Sequence, residues 1–306
     1  MNKVTILGSL NVDTILRVKR FPKPGETLPL IGKSVAGGGK GANQAIAAAR
    51  AGADTTFIGK VGQDQAGDFM VTQLTDSGVN AEFVQHSAEA DTGSAVIMLD
   101  SSSENRILID GGTNQKVTAA DVDLAQTVIS QSDFIVAQFE TPQAATVRAF
   151  ELAHAAKRRT ILNPAPATKQ VAPELLKLTD LIIPNETETE TLTGIPVTDE
   201  HAMIKAAEAC QAMGVANVII TVGSKGAFWM SGQNHGFVPA YKVNAVDTTA
   251  AGDTFIGALS SILKPDFSNL AAAVRFANRA SSLAVQKLGA QPSIPTEAAI
   301  RAADRA

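Results

Sequence analysis

The chain has 306 residues, of which 45% are hydrophobic and 18% charged, with a formal net charge of −4. At ~100–200 residues per domain this allows one large unit or two modest ones, with a core that needs no metal or disulfide staple, and it excludes extensive disorder. The acidic balance offers a polyanion no general attraction and no local basic patch stands out, so no nucleic-acid partner is expected.

Val4 to Leu7 reads as a buried strand and Asn43 to Gly52 as an alanine-rich helix after a glycine-rich turn. Thr56 to Val61 is a second strand, followed by a helix around Gln65 to Ser77 and an extended run near Phe83. Strands are then predicted over Phe134–Ala137, Thr160–Asn163, Asp180–Pro184 and Val218–Thr221, with helical patterns around 142–158, 200–213 and 269–286. This alternation predicts a parallel sheet covered on both faces. Two regions break the rhythm. Thr92 to Asp110 contains GSAVIMLD, SSSEN and RILID, which predicts a hairpin, and Asn11 to Lys33 offers short extended pieces punctuated by Pro22, Pro24, Gly25 and Pro29. Together they form either a small lid sheet over a cleft or a structural insertion packed on the body. No repeat and no polar linker divides the chain.

Cys210, the single cysteine, excludes an internal disulfide and reads as an inert packed thiol among alanines. His86, His154, His201 and His235 lack metal-binding spacing. The opening apolar run is too short for a signal-peptide core or a membrane span, and Arg275 and Arg279 interrupt the alanine-rich stretch after Ala271. A cytoplasmic chain with no membrane association is expected.

Several strings could carry chemistry. GSLNVD places Asn11 and Asp13 just after a strand end, where they either present hydrogen-bonding atoms to a polyhydroxylated substrate or satisfy a local turn. In AGGGKGANQAIAAA, glycines around Lys40 precede a helix whose amides could orient hydroxyls or an anion; a tight connection is the alternative. The spacing is neither that of a Walker A loop nor that of a dinucleotide fingerprint. In DTTAAGDTFIGAL, Ala250, Ala251, Gly252 and Asp253 could cradle oxygen charge during phosphoryl transfer, with Asp253 as proton acceptor or as a simple helix cap. PNETETE supplies Asn185, Glu186 and Glu188, either around magnesium-bound water or as a solvated acidic helix start. TVGSKG is either an approach to nucleotide phosphates or a surface turn.

Taken together with QFE, NPAPA and KLGAQPSIP, these strings resemble the ribokinase family, within the larger PfkB group of carbohydrate kinases, over nearly the whole chain. The resemblance implies one domain over 1–306, a three-layer α/β/α sandwich with a central, mostly parallel sheet, and a small β lid around 11–35 and 92–110. It implies sugar-site roles for Asn11, Asp13, Gly39, Lys40, Gly41, Asn43, Glu140 and Asp253. Gly39 and Gly41 would shape the backbone, while Asp13, Asn43 and Glu140 would read the hydroxyl pattern. Asp253 is implied as catalytic base beside an anion hole of Ala250, Ala251 and Gly252. Asn185, Thr221, Gly223, Ser224, Gly226, Gly252 and Asn278 are implied around the nucleotide, and Glu188 in the magnesium-water network. A potassium site is implied at Asp247, Thr249, Ala284, Lys287, Gly289 and Ser293, with Lys287 contributing its carbonyl because its ammonium carries the wrong charge. The implied reaction is transfer of the terminal phosphoryl of magnesium ATP to O5 of D-ribose, with potassium as activator and a homodimer paired through its lids. The alternatives are a related kinase for another sugar, such as deoxyribose, and a non-catalytic sugar-responsive interaction protein.

Overall fold

The computed structural model describes residues 1–102 and 104–304, apart from the side chain of Asn105. Its strands are β1 (Lys3–Leu7), β2 (Asn11–Arg17), β3 (Gly32–Gly38), β4 (Asp54–Gly62), β5 (Asn80–Ser87), β6 (Gly93–Leu99), β7 (Asn105–Asp110), β8 (Phe134–Ala137), β9 (Arg159–Leu162), β10 (Leu181–Ile182), β11 (Asn217–Val222), β12 (Gly226–Ser231) and β13 (Asn234–Pro239). The helices are α1 (Lys40–Arg50), α2 (Gln65–Asp76), α3 (Ala119–Leu124), α4 (Gln126–Gln131), α5 (Gln143–Ala155), α6 (Pro173–Lys177), α7 (Glu186–Thr193), α8 (Glu200–Ala212), α9 (Ala251–Ile262), α10 (Leu270–Ala284) and α11 (Glu297–Asp304). None among the described residues is long and apolar enough to cross a membrane.

A nine-stranded sheet runs β13-β12-β11-β10-β9-β8-β1-β4-β5. Neighbours from β11 through to β5 are parallel, and β12 and β13 add an antiparallel edge. Successive side chains of a strand point to opposite faces. Val4 and Ile6 of β1 therefore join a core with Phe57, Val136 and Ile219 under α1, α2, α9 and α10, while Leu7 joins Ile58, Ile135 and Ile220 under α3 to α6 and α8. Burial on both faces explains why these strands read as apolar runs rather than alternations.

The second sheet runs β3-β2-β6-β7. The predicted hairpin is β6–β7, antiparallel from Ser94↔Asp110 to Leu99↔Asn105, with Ser103 of its turn outside the described residues. The region Asn11–Lys33 resolves into β2 and the start of β3, which continues to Gly38. Val35, Ile107, Leu108 and Ile109 of this sheet are exposed.

Helix α1 begins at Lys40, three residues before the predicted start at Asn43. Its N-cap, Gly39, has φ 88° and offers no capping side chain. The first three amides instead find partners far away in sequence. Lys40 N donates to Glu140 Oε2 (3.0 Å), Gly41 N to Ser9 Oγ (3.3 Å) and Ala42 N to Ser9 O (2.9 Å).

Candidate active site

The chain leaves β1 toward β4 and β5 on one side and returns to β8 on the other, so the strand order reverses beside β1. Ligand sites of open α/β sheets lie at the carboxyl ends of the strands at such a switch point. Here those ends present Ser9 after β1, Gln138 and Glu140 after β8, Asn163 after β9, Asn185 after β10 and Gly223 after β11.

Asp253, in the first turn of α9, is buried at this edge. Its Oδ2 accepts from Asn43 Nδ2 (3.0 Å) and its Oδ1 from Gln44 Nε2 (3.0 Å). Gln44 Nε2 also reaches Asn163 Oδ1 (3.2 Å), Gln138 Nε2 donates to Gln44 Oε1 (2.6 Å), and Asn163 Nδ2 donates to Ile183 O (3.0 Å). The carboxylate thus ends a buried amide chain crossing α1, β8 and β9. Helices α1 and α9 come this close because a Cβ on Gly257, one turn below Asp253, would lie 2.5 Å from both Ala47 Cβ and Gln44 O. Burial raises the Asp253 pKa against the opposing pull of Lys40 and the two amides. A carboxylate held this way is fixed in aim and more ready to take a proton than one in water.

Lys40, Asn185, Glu188, Thr221, Thr248 and the turn Ala250–Asp253 line a cavity of about 210 Å³ above this carboxylate. Burial works against the charge on Lys40, but Asp253, Glu140 and Glu188 together raise its pKa, so the ammonium is retained. Ala250 is the N-cap of α9 in a left-handed conformation, φ 59° and ψ 14°, without a side-chain cap bond. The Ala251 amide turns back to Thr248 O (3.2 Å), while the next amides, of Gly252 and Asp253, belong to the first turn and have no intrahelical acceptor. Asn185 and Glu188 form a reciprocal capping box at the start of α7: Glu188 N donates to Asn185 Oδ1, and Asn185 N and Nδ2 donate to the Glu188 carboxylate, all at 2.9 Å. PNETETE does start a helix, but Glu188 is buried rather than solvated, and the same box fixes its carboxylate in the cavity wall.

Of the expected sugar groups, Asn11, Asp13, Asn43 and Glu140 do not line this cavity. Asp13 is half-buried on β2, and burial together with the nearby Glu140 charge pushes its pKa up to about 6. Gly38 of β3, paired with Asn11, could carry no side chain, since a Cβ would clash with the Asp13 carboxylate. Asn11 is fixed by Asn114, whose Nδ2 donates to Asn11 Oδ1 (2.8 Å) while its Oδ1 accepts from Leu10 N (2.9 Å). Asn43 Oδ1 is buried without a hydrogen-bond partner.

A second cavity, about 710 Å³, shares Asn185, Thr221, Thr248, Ala251 and Gly252 with the first. Gly223, Ser224, Gly226, Phe255, Tyr241 and Asn278 also line it. Asn278 Nδ2 holds the end of β13 through Val238 O (3.0 Å) and Pro239 O (3.2 Å), so its amide shapes this wall. Beneath the turn, Asp247 Oδ1 accepts from Thr249 N (2.9 Å) and Oγ1 (2.6 Å), and Oδ2 accepts from Gly289 N (2.8 Å). These bonds outweigh burial and hold the Asp247 pKa below its ordinary value. Val285 O accepts from Val246 N (2.7 Å) and Asp247 N (3.2 Å), which binds the 284–293 segment to the loop before α9. Lys287 is exposed, Ala284 O accepts from Lys287 N (3.1 Å) and Ser293 Oγ donates to Ala290 O (2.7 Å). Among the described residues, no group of three or more His, Cys, Asp or Glu could hold a metal ion.

Sequence reasoning gave no role to Gln44, Gln138, Asn163, Asn114 or Thr248. All but Asn114 stand inside strings already singled out, and for the first three their polar side chains at apolar strand ends and in an alanine helix were the available signal. Asn114 carried none.

A family model described as pfkB family carbohydrate kinase matches residues 1–297. The chain is 50% identical over 295 residues to the ribokinase of Staphylococcus aureus, covering 96% of this chain and 97% of that one. It is 48% identical over 301 residues to the bifunctional ribokinase/ribose-5-phosphate isomerase A of Fructilactobacillus sanfranciscensis, covering 98% of this chain but only 56% of that longer protein. The solved structure of Arabidopsis thaliana ribokinase complexed with ribose and ATP superposes with a TM-score of 0.91 at 31% identity, over 98% of each chain. Matched by this family model over residues 1–297 and by relatives along almost its whole length, the chain belongs to the pfkB family of carbohydrate kinases.

Proposed function

We propose that the chain is a cytoplasmic ribokinase, transferring the terminal phosphoryl group of ATP to O5 of D-ribose to give ribose 5-phosphate and ADP. The observation that carries this reading is the position of Asp253: one buried carboxylate stands between the Asn43–Asp13–Glu140 groups on one side and the Lys40-lined cavity opening to the nucleotide-sized cavity on the other. Asp253 takes the O5 proton as that oxygen attacks the terminal phosphorus and the bond to the ADP oxygen breaks. The Gly252 and Asp253 amides and the Lys40 ammonium face the charge that develops on the transferred group. Asn43 Oδ1 is an acceptor awaiting a sugar hydroxyl, and the carboxylates of Asp13 and Glu140 accept others.

Magnesium bound with ATP compensates phosphate charge, and its hard-cation chemistry fits the fixed Glu188 carboxylate in the cavity wall. Potassium would fit the segment under the anion-binding turn, where an anionic Asp247 is tied to Gly289 N and its main chain to Val285 O. The β2–β3 and β6–β7 sheet serves as the lid, and its exposed Val35, Ile107, Leu108 and Ile109 suit pairing with a second copy of the chain. ADP production measured across ribose, deoxyribose, ketohexoses and nucleosides tests the assignment. Ribose is expected to give the highest kcat/KM; a clearly better acceptor overturns the ribose reading, and absence of turnover with every acceptor overturns the kinase. At fixed magnesium and ionic strength, potassium is expected to raise the rate more than sodium, and equal rates in cation-stripped protein remove the activating site.

A further inference from the structure

Gln291 opens the short 3₁₀ turn Gln291–Ser293 and is 3% exposed, yet neither its Oε1 nor its Nε2 has a hydrogen-bond partner. Its main chain is pinned to the body, because Arg50 Nη1 donates to Gln291 O (2.7 Å) and Ile294 O (3.1 Å). The side-chain amide is pressed against Gly37 of β3: a Cβ there would lie 2.3 Å from Oε1, 2.9 Å from Cδ and 3.0 Å from Nε2. Strand β3 is an edge of the small sheet and pairs only with β2, so peptide groups along its outer side have no ladder partner. An amide buried with both ends unpaired is costlier than an apolar side chain of the same size. The polarity of Gln291 therefore gains its value in another arrangement of its neighbours, among them β3 of the small sheet.

We propose that Gln291 is a positioning residue for the sugar step: when the small sheet closes over the sugar, its amide bonds to the main chain of Gly37–Gly38 and latches β3 in place. The latch acts on the strand that leads directly into Gly39 and Lys40, and so on the sugar-side groups rather than on the nucleotide cavity. This rests on the reading of the small sheet as a lid over a ribose site.

The test compares the full-length wild type with Gln291→Met, and with Gln291→Leu as a second apolar replacement, by sugar kinetics, melting temperature and hydrogen exchange of the 32–38 segment with and without ribose. The expected result is a sugar-free variant at least as stable as wild type, a ribose KM raised roughly tenfold with little change in the ATP KM, and weaker ribose-induced protection of 32–38. Wild-type ribose KM and protection in the variants overturn the latch. A lower melting temperature of both sugar-free variants overturns it too, because the amide would then already be satisfied before closure. If wild type turns over ribose without any protection of 32–38, the latch fails while the kinase reading stands. If it turns over a different sugar, the ribose reading fails and the same comparison with that sugar judges the latch.

Discussion

Two carboxylates, the buried Asp253 on the body and the half-buried Asp13 on the small sheet, are held in opposite ways. Asp253 is gripped by two amides at the end of a chain that reaches Gln138 and Asn163, so its geometry exists before any ligand arrives. Asp13 accepts no hydrogen bond from the described residues and is pushed up to about 6 by burial and by Glu140. The carboxylate on the body is preorganised, whereas the one on the small sheet would, in the proposed sugar-site role, gain its partners from the ligand.

The harshest way to break this contrast is Asp253→Asn, which keeps the α9 amides but removes the proton acceptor. A loss of ~10²–10⁴ in kcat with little change in ATP affinity is expected from steady-state kinetics and nucleotide titration. Near-normal turnover of a folded variant would show that Asp253 is not the base. Asp13 should behave differently, through pH. Its carboxylate form accepts sugar hydroxyls, so ribose kcat/KM is expected to rise with pH through about 6, and Asp13→Asn should flatten that limb at lower affinity. The stability sign is the reverse. Between its ordinary value and about 6 the folded chain keeps a proton the unfolded chain releases, so the Asp13 contribution to stability declines as pH rises through that window, and the Asn variant should lose that slope in melting experiments. The smallest effect is expected from Ala250→Gly. Relieving a left-handed alanine gains about 1–2 kcal/mol, partly offset by the ~0.5–1 kcal/mol entropy of glycine. The melting temperature should rise slightly while kcat falls a few-fold as the anion-binding turn loosens; a marked loss of stability would show that this turn is unstrained.

The main sheet was legible because its central strands are buried on both faces: Phe134–Ala137 coincides with β8, and β1, β4, β9 and β11 differ from expectation by one or two residues at their ends. The β12–β13 hairpin was absent from the expected elements: its edge strand β13 is mostly exposed and lacks that apolar density, although the largely buried β12 has it and Gly232 marked the turn between them. The start of α1 could not be read locally, since Glu140 and Ser9 cap it from other elements. At the site, the residues facing solvent-filled space stood in recognisable strings, while the Gln44–Gln138–Asn163 chain depends on three separate segments meeting, which no single segment encodes. Small residues around the anion-binding turn were expected, but the left-handed residue there is an alanine, not the adjacent glycine.

The notch at Gly257 has a mechanical consequence. At Gly257 the main chain of α9 sits directly against Gln44 O, Ala48 N and the Ala47 methyl of α1, with no rotatable side chain at that point of contact. Soft contacts absorb displacement by changing rotamers, but this one cannot, so the two helices behave as one lever. A methyl group at position 257 would therefore push α9 away from α1 and draw Asp253 from the Asn43 and Gln44 amides in the same movement.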